Sequence, residues 1–384
     1  MHKTQGRIQR SSQNLSDQML ASGNNDKRVS LQDIAKELGI SQTAVSFAIN
    51  DRPGVSEQTK QKVKETAARM GWTPIYAAQA LSSSKTMTVG FAPARSMDAF
   101  QTENFMLHFM AGIHASLSEQ GYGLLFRPCA SLQEEMDTYR SWAKAKRVDG
   151  VILVDLLAQD PRPALLHSLG LPAVLAGGPD PSNVVPSLSI DDSKTMRTIL
   201  EHLSLLGHRR IAYLSGDGNL DYSKARAASF HEFAQDHNLQ SDSVYFTNFD
   251  PSEAFEVTAR LLTQDEPYTA FIYENEILAT ASMRSLIEIA LSRAQQSDSG
   301  VKTEDNEILT RMPAVVSFED SFICQAMYPS VTSVHRDAGL YGTKVANLLL
   351  KIFNGEVVSG NRRILTPKLI IRESTRPVGA QRPE

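Results

Sequence analysis

The sequence is poor in the residues that disulfides, metal sites and membrane spans require. Its 384 residues include two cysteines, Cys129 and Cys324, which lie too far apart to form a metal or redox motif. No apolar stretch is long enough to cross a bilayer, and residues 1–25 lack the apolar core of a secretory signal. We therefore expect a cytoplasmic protein with no membrane association, no metal and no other cofactor.

Signatures of catalysis are also missing. The histidines show no metal-ligand spacing, and no Gly-x-Ser-x-Gly nucleophile elbow occurs. The segment Gly216-Asp217-Gly218 lacks the third glycine and the acidic residue of a dinucleotide fingerprint. We expect no catalytic residues, and an enzyme is the alternative that these absences argue against.

Charge is distributed unevenly along the chain. The net charge is −4, yet residues 1–25 carry +2, residues 26–85 carry +3, and the remainder carries −9. The chain is also longer than one hydrophobic core usually supports, so several folding units are expected. A small basic unit attached to an acidic body is typical of a protein that contacts nucleic-acid phosphates at one end.

Three short helices are predicted in the basic segment. Ser30 can cap a helix whose apolar residues recur at helical spacing and which ends at Gly39. Ser41 can cap a second helix, and Ser56 a third that ends at Gly71. Two short helices joined by a tight turn, with a third packed across them, form the helix-turn-helix pattern. Any small three-helix bundle is the alternative.

Beyond Met87, short apolar runs alternate with helical patterns. The predicted buried parallel strands are 88–93, 123–127, 150–155, 173–176, 211–215, 270–273 and 314–318. The clearest helical patterns between them are 105–120, 132–145, 192–206 and 224–237. This alternation predicts parallel sheets covered by helices.

Several ordered landmarks resemble the lactose-repressor (LacI/GalR) family. The segment 33–41 reads Asp-Ile-Ala-Lys-Glu-Leu-Gly-Ile-Ser, and 206–210 reads Leu-Gly-His-Arg-Arg. Arg-Val-Asp-Gly at 147–150 and Ile-Arg-Glu-Ser-Thr at 371–375 continue the match. The resemblance implies an all-α helix-turn-helix head and an α/β periplasmic-binding-protein-like sensor, made of two Rossmann-like subdomains that three strands cross.

Five segments are predicted on this basis. They are a disordered N-terminal arm (1–27), a helix-turn-helix DNA-binding domain (28–74), a hinge helix and linker (75–87), an effector-binding and dimerisation domain of two subdomains (88–376), and a flexible tail (377–384).

The resemblance places the second helix of the head in the DNA major groove, where Gln42, Thr43 and Phe47 would read bases. Glutamine can pair bidentately with adenine, and threonine can contact a thymine methyl group. Phe47 departs from the arginine that the family commonly has at this position. Phosphate or sugar contacts are expected from Arg28, Ser41, Ser46 and Asn50.

Residues 75–82 resemble the hinge helix of the family, which binds the minor groove at the operator centre. Leu81 would then wedge between base pairs, and Ala78 would allow close approach to the groove. A flexible interdomain linker is the alternative, and without DNA both descriptions can hold.

The resemblance also implies an effector cleft between the two subdomains. Arg226, Asn275 and Glu319 would supply polar contacts, and Phe249 would stack on a ring. Gly177 stands where several sugar-binding relatives have Asp, which removes an acceptor for hydroxyl groups, and residues 292–312 are expected to form a polar surface loop. A sugar, a purine, a modified sugar, a small acid or no ligand all stay open, and a surface ion pair is the alternative role for Arg226.

We therefore expect a repressor that binds double-stranded operator DNA as a homodimer, with its affinity changed by a small-molecule effector. A transport solute-binding protein would suit the sensor but not the head. A regulator with a degenerate cleft, controlled by a protein partner or by nothing, is the remaining alternative.

Overall fold

A computed structural model describes residues 29–73, 85–95, 104–240, 243–295, 312–365 and 367–375. The chain divides into two units, Met1–Ser83 (the head) and Ser84–Glu384 (the body). This division falls within segment 75–87, where a linker is predicted. The predicted arm 1–27, the predicted tail 377–384 and residues 75–84 of the predicted hinge lie outside the described residues.

The described part of the head contains three helices, each begun by the serine that the sequence predicts. They are α1 (Leu31–Leu38), α2 (Gln42–Ile49) and α3 (Glu57–Arg69). Ser30 forms a reciprocal capping box, because its hydroxyl accepts from the backbone of Asp33 while the Asp33 carboxylate accepts from the backbone of Ser30. Ser41 and Ser56 accept from backbone N–H groups three residues on, which satisfies donors that a helix start leaves unpaired.

A small apolar core holds the three helices together. Its centre is formed by Ile34, Val45 and Val63, one from each helix, all fully buried. Buried alanines between them, Ala48 among them, let the helix backbones approach closely. The positions follow the predicted helical spacing, so the sequence pattern and the packing agree.

The body alternates strands and helices. Its helices are α4 (Asn104–Glu119), α5 (Leu132–Lys144), α6 (Arg162–Ser168), α7 (Asp192–Leu205), α8 (Asp221–Asp236), α9 (Pro251–Leu262), α10 (Glu276–Gln295), α11 (Phe322–Ala326) and α12 (Ala338–Phe353), with a 3₁₀ turn at Glu373–Thr375. Its strands are β1 (Thr88–Phe91), β2 (Gly123–Phe126), β3 (Gly150–Leu153), β4 (Ala173–Ala176), β5 (Ser187–Ile190), β6 (Ile211–Ser215), β7 (Ser243–Phe246), β8 (Ala270–Tyr273), β9 (Ala314–Ser317), β10 (Thr332–His335), β11 (Asn361–Leu365) and β12 (Lys368–Ile370). In the described ranges, no helix has the length and apolar character needed to cross a membrane.

Two six-stranded sheets define two subdomains. The first has the order β11-β5-β4-β3-β1-β2 and is parallel throughout. The second has the order β12-β10-β9-β8-β6-β7 and is parallel except for β12, which runs antiparallel to β10. Each sheet has apolar clusters on both faces, as expected for strands covered by helices on both sides. The chain passes between the sheets after β5, after β10 and after β11, which gives the three expected crossings.

All seven predicted strands are present, and three have the predicted bounds: Ala173–Ala176, Ile211–Ser215 and Ala270–Tyr273. The prediction of a fully buried strand at 123–127 was wrong, because β2 lies at a sheet edge and is only partly covered. The polar segment expected as a loop from residue 292 begins as helix, since α10 continues to Gln295; residues 296–311 lie outside the described residues. Among the described strands, β5, β7, β10, β11 and β12 were not predicted. They contain polar residues or lie at the edges of their sheets.

Helix α12 follows a strand of the second sheet and packs against α4 of the first subdomain at very short range. A Cβ atom on Gly112 would lie 2.0 Å from the carbonyl oxygen of Gly339, and one on Gly342 would lie 2.1 Å from that of Phe109. Backbone therefore meets backbone along this contact. By contrast, a Cβ on Gly339 would have its nearest neighbour, the Asp337 carboxylate, at 3.6 Å.

We expect Gly342→Ala to destabilise the body by about 1–3 kcal/mol, because the added methyl group must push two helix backbones apart. Gly339→Ala, in the same helix, is the control: it should be neutral or stabilising by up to about 1 kcal/mol, since alanine is the better helix former. Urea unfolding of both variants, followed by circular dichroism, measures this. Equal midpoints for the two variants would contradict the packing argument.

Candidate functional site

The start of α2 presents the predicted base-reading residues to solvent. Gln42 and Thr43 are exposed in its first turn, with no role in the core. Phe47 is half-buried: its ring lies about 3.7 Å from where a Cβ on Gly54 would be, and the guanidinium of Arg52 lies 5.9 Å from the ring centre. Phe47 therefore packs on the turn between α2 and α3, which limits its reach toward a base.

Three of the predicted phosphate-contacting residues belong to α2: Ser41 caps its start, Ser46 lies within it and Asn50 caps its end. Ser41 Oγ accepts from the backbone of Ala44, and Asn50 Nδ2 donates to the carbonyl of Ser46 at 2.8 Å. These bonds leave the Ser41 hydroxyl hydrogen and the Asn50 Oδ1 atom for another partner. The start of α2 also concentrates unpaired N–H groups, which favour an anion such as phosphate. Predicted contacts at Arg28, Ala78 and Leu81 lie outside the described residues.

If Gln42 reads a base, Gln42→Ala should weaken binding to the preferred DNA site by about 1–3 kcal/mol and relax the preference at one base pair in each half-site. Gln61→Ala is the matched control, because Gln61 is an exposed glutamine on α3. Selection from a random duplex library, followed by fluorescence anisotropy, measures both effects. Equal losses for the two variants would refute the reading role of Gln42.

A cavity of about 280 Å³ lies between the two subdomains, at the carboxyl ends of their strands. All four predicted effector-binding residues line it: Arg226, Phe249, Asn275 and Glu319. They come from α8 and from the segments that follow β7, β8 and β9, so the fold brings together residues nearly a hundred positions apart. Ligands of open α/β sheets bind at such strand ends.

Arg226 is buried at the base of the cavity in a network of charges. Its Nε donates to Asp192 Oδ1 at 2.8 Å, and its Nη1 pairs with Glu274, which is itself buried. The ring of Phe318 covers one face of the guanidinium at 4.0 Å. Burial opposes the charge of Arg226, but Asp192 and Glu274 outweigh it and hold the pKa of the guanidinium well above its usual value. Arg226 therefore organises the site as much as it offers donors to a ligand.

Phe249 is held in a conformation that costs free energy. Its φ angle is +60°, and that of the preceding Asn248 is +49°. Its ring lies flat on Gly216, where a Cβ atom would come within 2.2 Å of the ring. Strain of this kind costs on the order of 1–3 kcal/mol and persists where the surroundings enforce it. The result is an aromatic face turned toward the cavity.

The side chains of Asn275 and Glu319 each accept a hydrogen bond from a neighbouring residue of the protein. Asn275 Oδ1 accepts from the backbone of Leu278 at 3.0 Å, so the Nδ2 group is what Asn275 can offer to a ligand. Glu319 Oε1 accepts from Arg336 Nη2 at 2.5 Å, and the Arg336 guanidinium lies 4.7 Å from the centre of the Phe105 ring.

Several residues of the cavity were not predicted from the sequence. Arg95 pairs with Asp155 across the first subdomain, while Asp192, Glu274 and Arg336 complete the pairs described above. Arg95 and Glu274 follow predicted apolar runs within a few positions, so a search for polar residues after those runs would have found them. Asp192 and Arg336 follow β5 and β10, which were not predicted. At Gly177 a Cβ would meet nothing within 4 Å, which agrees with a missing side chain at this wall of the cavity.

One side of the cavity is closed by a strap, residues 155–160, that joins the two subdomains. The carbonyl of Leu156 accepts from the backbone of Asp221 at 2.8 Å, and Leu157 forms an antiparallel bridge with Leu220. The base of the strap is fixed by the buried Arg162, whose guanidinium pairs with Glu135 at 2.8 Å and with Asp160. The strap is thus rigid on one subdomain and hydrogen-bonded to the other.

Arg226→Ala should destabilise the body by about 3–5 kcal/mol, because it leaves Asp192 and Glu274 as uncompensated buried charges. Arg197→Ala is the control: Arg197 forms an exposed pair with Glu232, and such pairs contribute about 0–1 kcal/mol. Thermal unfolding at neutral pH compares them. Similar losses for both variants would show that the Arg226 network contributes little.

Two family profiles match this chain. The profile described as bacterial regulatory proteins, lacI family, matches residues 30–74, and that of the periplasmic binding protein-like domain matches residues 200–292 and 313–375. The first covers the three head helices, and the second covers most of the second subdomain and α12. The head is therefore a LacI-family DNA-binding domain, and the body is similar to periplasmic binding proteins. The chain is a sequence-specific DNA-binding transcriptional regulator.

Several relatives of this regulator match over nearly their full length. The HTH-type transcriptional regulator CelR of Thermobifida fusca is 27% identical over 352 residues, which is 91% of this chain and 98% of CelR. A solved CelR–cellobiose complex superposes with a TM-score of 0.64 at 26% identity, covering 90% of this chain and all of that one. The lac repressor dimer bound to operator and the anti-inducer ONPF shares the fold, with a TM-score of 0.73 at 23% identity over 91% of this chain and 99% of that one.

Proposed function

We propose that this regulator is a homodimeric repressor whose affinity for its operator is set by a small molecule in the cavity between the subdomains. The observation that carries the proposal is the convergence of Arg226, Phe249, Asn275 and Glu319 on one cavity. An aromatic face surrounded by a few placed polar groups is the usual composition of a small-molecule site. The cellobiose bound by the related CelR makes a sugar the first candidate.

The head binds the operator through α2 in the major groove. Gln42 and Thr43 read bases, Phe47 contributes an apolar contact at most, and Ser41, Ser46, Asn50 and Arg28 position the head on phosphates. Leu81 of the hinge segment wedges between base pairs in the minor groove and kinks the DNA, and Ala78 allows close approach to the groove. Two heads are required to read the two halves of a near-palindromic site, and this requirement supports a dimer.

The strap supplies a route from ligand to DNA. Asp221 starts α8, which also carries Arg226, and its backbone holds the strap of the first subdomain. A ligand at Arg226 therefore affects how firmly the two subdomains are joined, and this changes the geometry offered to the hinge segments. The ligand shifts operator affinity only by its differential affinity for the two states, typically about 1–3 kcal/mol.

A role in transcription without catalysis is part of the same proposal. The relatives with matching full-length sequences are transcriptional regulators, and the four arginines of the cavity are engaged in ion pairs with its carboxylates. We propose a cytoplasmic location for the same reason, since operator DNA is there.

The test is a coupled measurement on the full chain. A thermal-shift screen against sugars, nucleosides and small acids identifies a ligand; at about one hundred times its dissociation constant, it should add roughly 2.7 kcal/mol of stability. The same ligand should change the affinity for the selected operator by about 5–150-fold.

Phe249→Ala should lose this ligand-induced change, because the stacking face is removed. Phe246→Ala, an exposed aromatic three residues earlier, should retain it. A stabilising ligand with no effect on operator affinity would refute the coupling. A blank screen with intact operator binding would instead favour a cleft that responds to a protein partner or to nothing.

A further inference from the structure

The positive charges of the cavity are already neutralised by the protein. Four arginines line it, and each forms an ion pair: Arg226 with two carboxylates, and Arg95, Arg336 and Arg363 with one each. Six carboxylates line the same cavity, and its described lining includes no lysine or histidine. An anionic ligand would therefore have to displace a carboxylate from an arginine within a partly buried site, where like charges are poorly screened.

The helix ends at the cavity are also occupied. Helices α7 and α8 begin there and carry Asp192 and Asp221 at their first positions; α10 begins just after Asn275 and carries Glu276 in its first turn. A helix start attracts negative charge and is the usual place for a phosphate. In this cavity each of the three helix starts already carries a carboxylate of the protein, and Asp191 also caps α7 by accepting from the backbone of Lys194.

What the cavity leaves open are groups suited to hydroxyls. Ser189 Oγ and Arg336 Nε are buried and have no hydrogen-bond partner in the part of the chain that the structure describes, and both residues line the cavity. Buried polar atoms of this kind need a partner, which a ligand hydroxyl can provide. The rings of Phe105, Phe249 and Tyr341 offer apolar faces beside them.

We propose that the cavity selects an uncharged, polyhydroxylated sugar and rejects phosphorylated or carboxylated forms of the same sugar. This rests on the proposed effector role of the cavity and narrows its ligand class.

Asp221 is the residue that enforces the selection. It lines the cavity, and no described arginine forms a salt bridge with it. Burial, and then the neighbouring Asp192, raises the pKa of its carboxyl group, while Lys224 lowers it in part. The surroundings of Asp221 thus already disfavour the negative charge of its carboxylate. A negative charge on the ligand, close to this carboxylate, would be disfavoured more strongly. A neutral hydroxyl, by contrast, can donate to this carboxylate.

The test compares neutral and anionic members of matched pairs by isothermal titration calorimetry on the full chain. The probes are glucose with glucose 6-phosphate and glucuronate, trehalose with trehalose 6-phosphate, and cellobiose with cellobionate. For any pair that binds, the neutral member should bind at least roughly tenfold more tightly. Asp221→Asn should reduce this ratio several-fold, because it removes the unpaired charge. Asp236→Asn, at the exposed far end of the same helix, is the control and should leave the ratio unchanged.

The outcomes separate this inference from the proposed function. Tighter binding by a phosphorylated or carboxylated member overturns the inference and leaves the effector role in place. An unchanged ratio in Asp221→Asn overturns the assignment of Asp221. A complete absence of binding by both kinds of probe, with operator binding intact, overturns the sugar-effector role itself and this inference with it.

Discussion

The buried guanidinium of Arg226 is the constraint on which the sensing end of the body depends. It joins α8 to Asp192 at the start of α7 and to Glu274 at the end of β8, and Phe318 covers it after β9. Four elements of the second subdomain are thus fixed relative to one charge. Removing a partner from such a group is costly, because a buried charge without compensation has lost its hydration. The same network limits what the cavity can bind, since Asp192 and Glu274 already engage all three nitrogens of the Arg226 guanidinium.

Closure of the cavity rests on a second buried charge, in the other subdomain. Arg162 ties the strap to Glu135 in α5, and backbone groups of the strap pair with Leu220 and Asp221 of the second subdomain. Backbone hydrogen bonds across a cleft are individually weak, at about 0.5–1.5 kcal/mol each, and can be made and broken by a ligand. The strap is fixed to the first subdomain at Arg162 and held by weak hydrogen bonds to the second. It is therefore suited to a joined and a released state of similar free energy. The contact between α4 and α12 is expected to stay the same in both states. Its glycines bring the two helix backbones into direct contact, and no other arrangement would pack them as densely.

Local sequence patterns predicted the three head helices and the alternation of strands and helices in the body. Ser30, Ser41 and Ser56 begin helices because a serine hydroxyl satisfies N–H groups only a few residues away, and this needs no tertiary information. The runs at 173–176, 211–215 and 270–273 were found with correct bounds because strands buried on both faces are apolar without interruption. Strands β5 and β11 were missed because serine, asparagine and arginine interrupt the apolar pattern, and their pairing depends on neighbours far away in sequence.

The four cavity residues named from the sequence were predicted from the resemblance to the LacI/GalR family. The residues that form ion pairs with them were not predicted. Nothing local indicates that Glu274 meets Arg226, which is 48 positions away, or that Arg336 meets Glu319. The sequence by itself determined the starts of the head helices, the bounds of three fully buried strands, the family resemblance and four of the residues that line the cavity. Only the tertiary structure decided which carboxylate neutralises which arginine, and hence what charge a ligand can carry. The reason is that ion pairing depends on distance in space, which the chain order of a doubly wound sheet does not reveal.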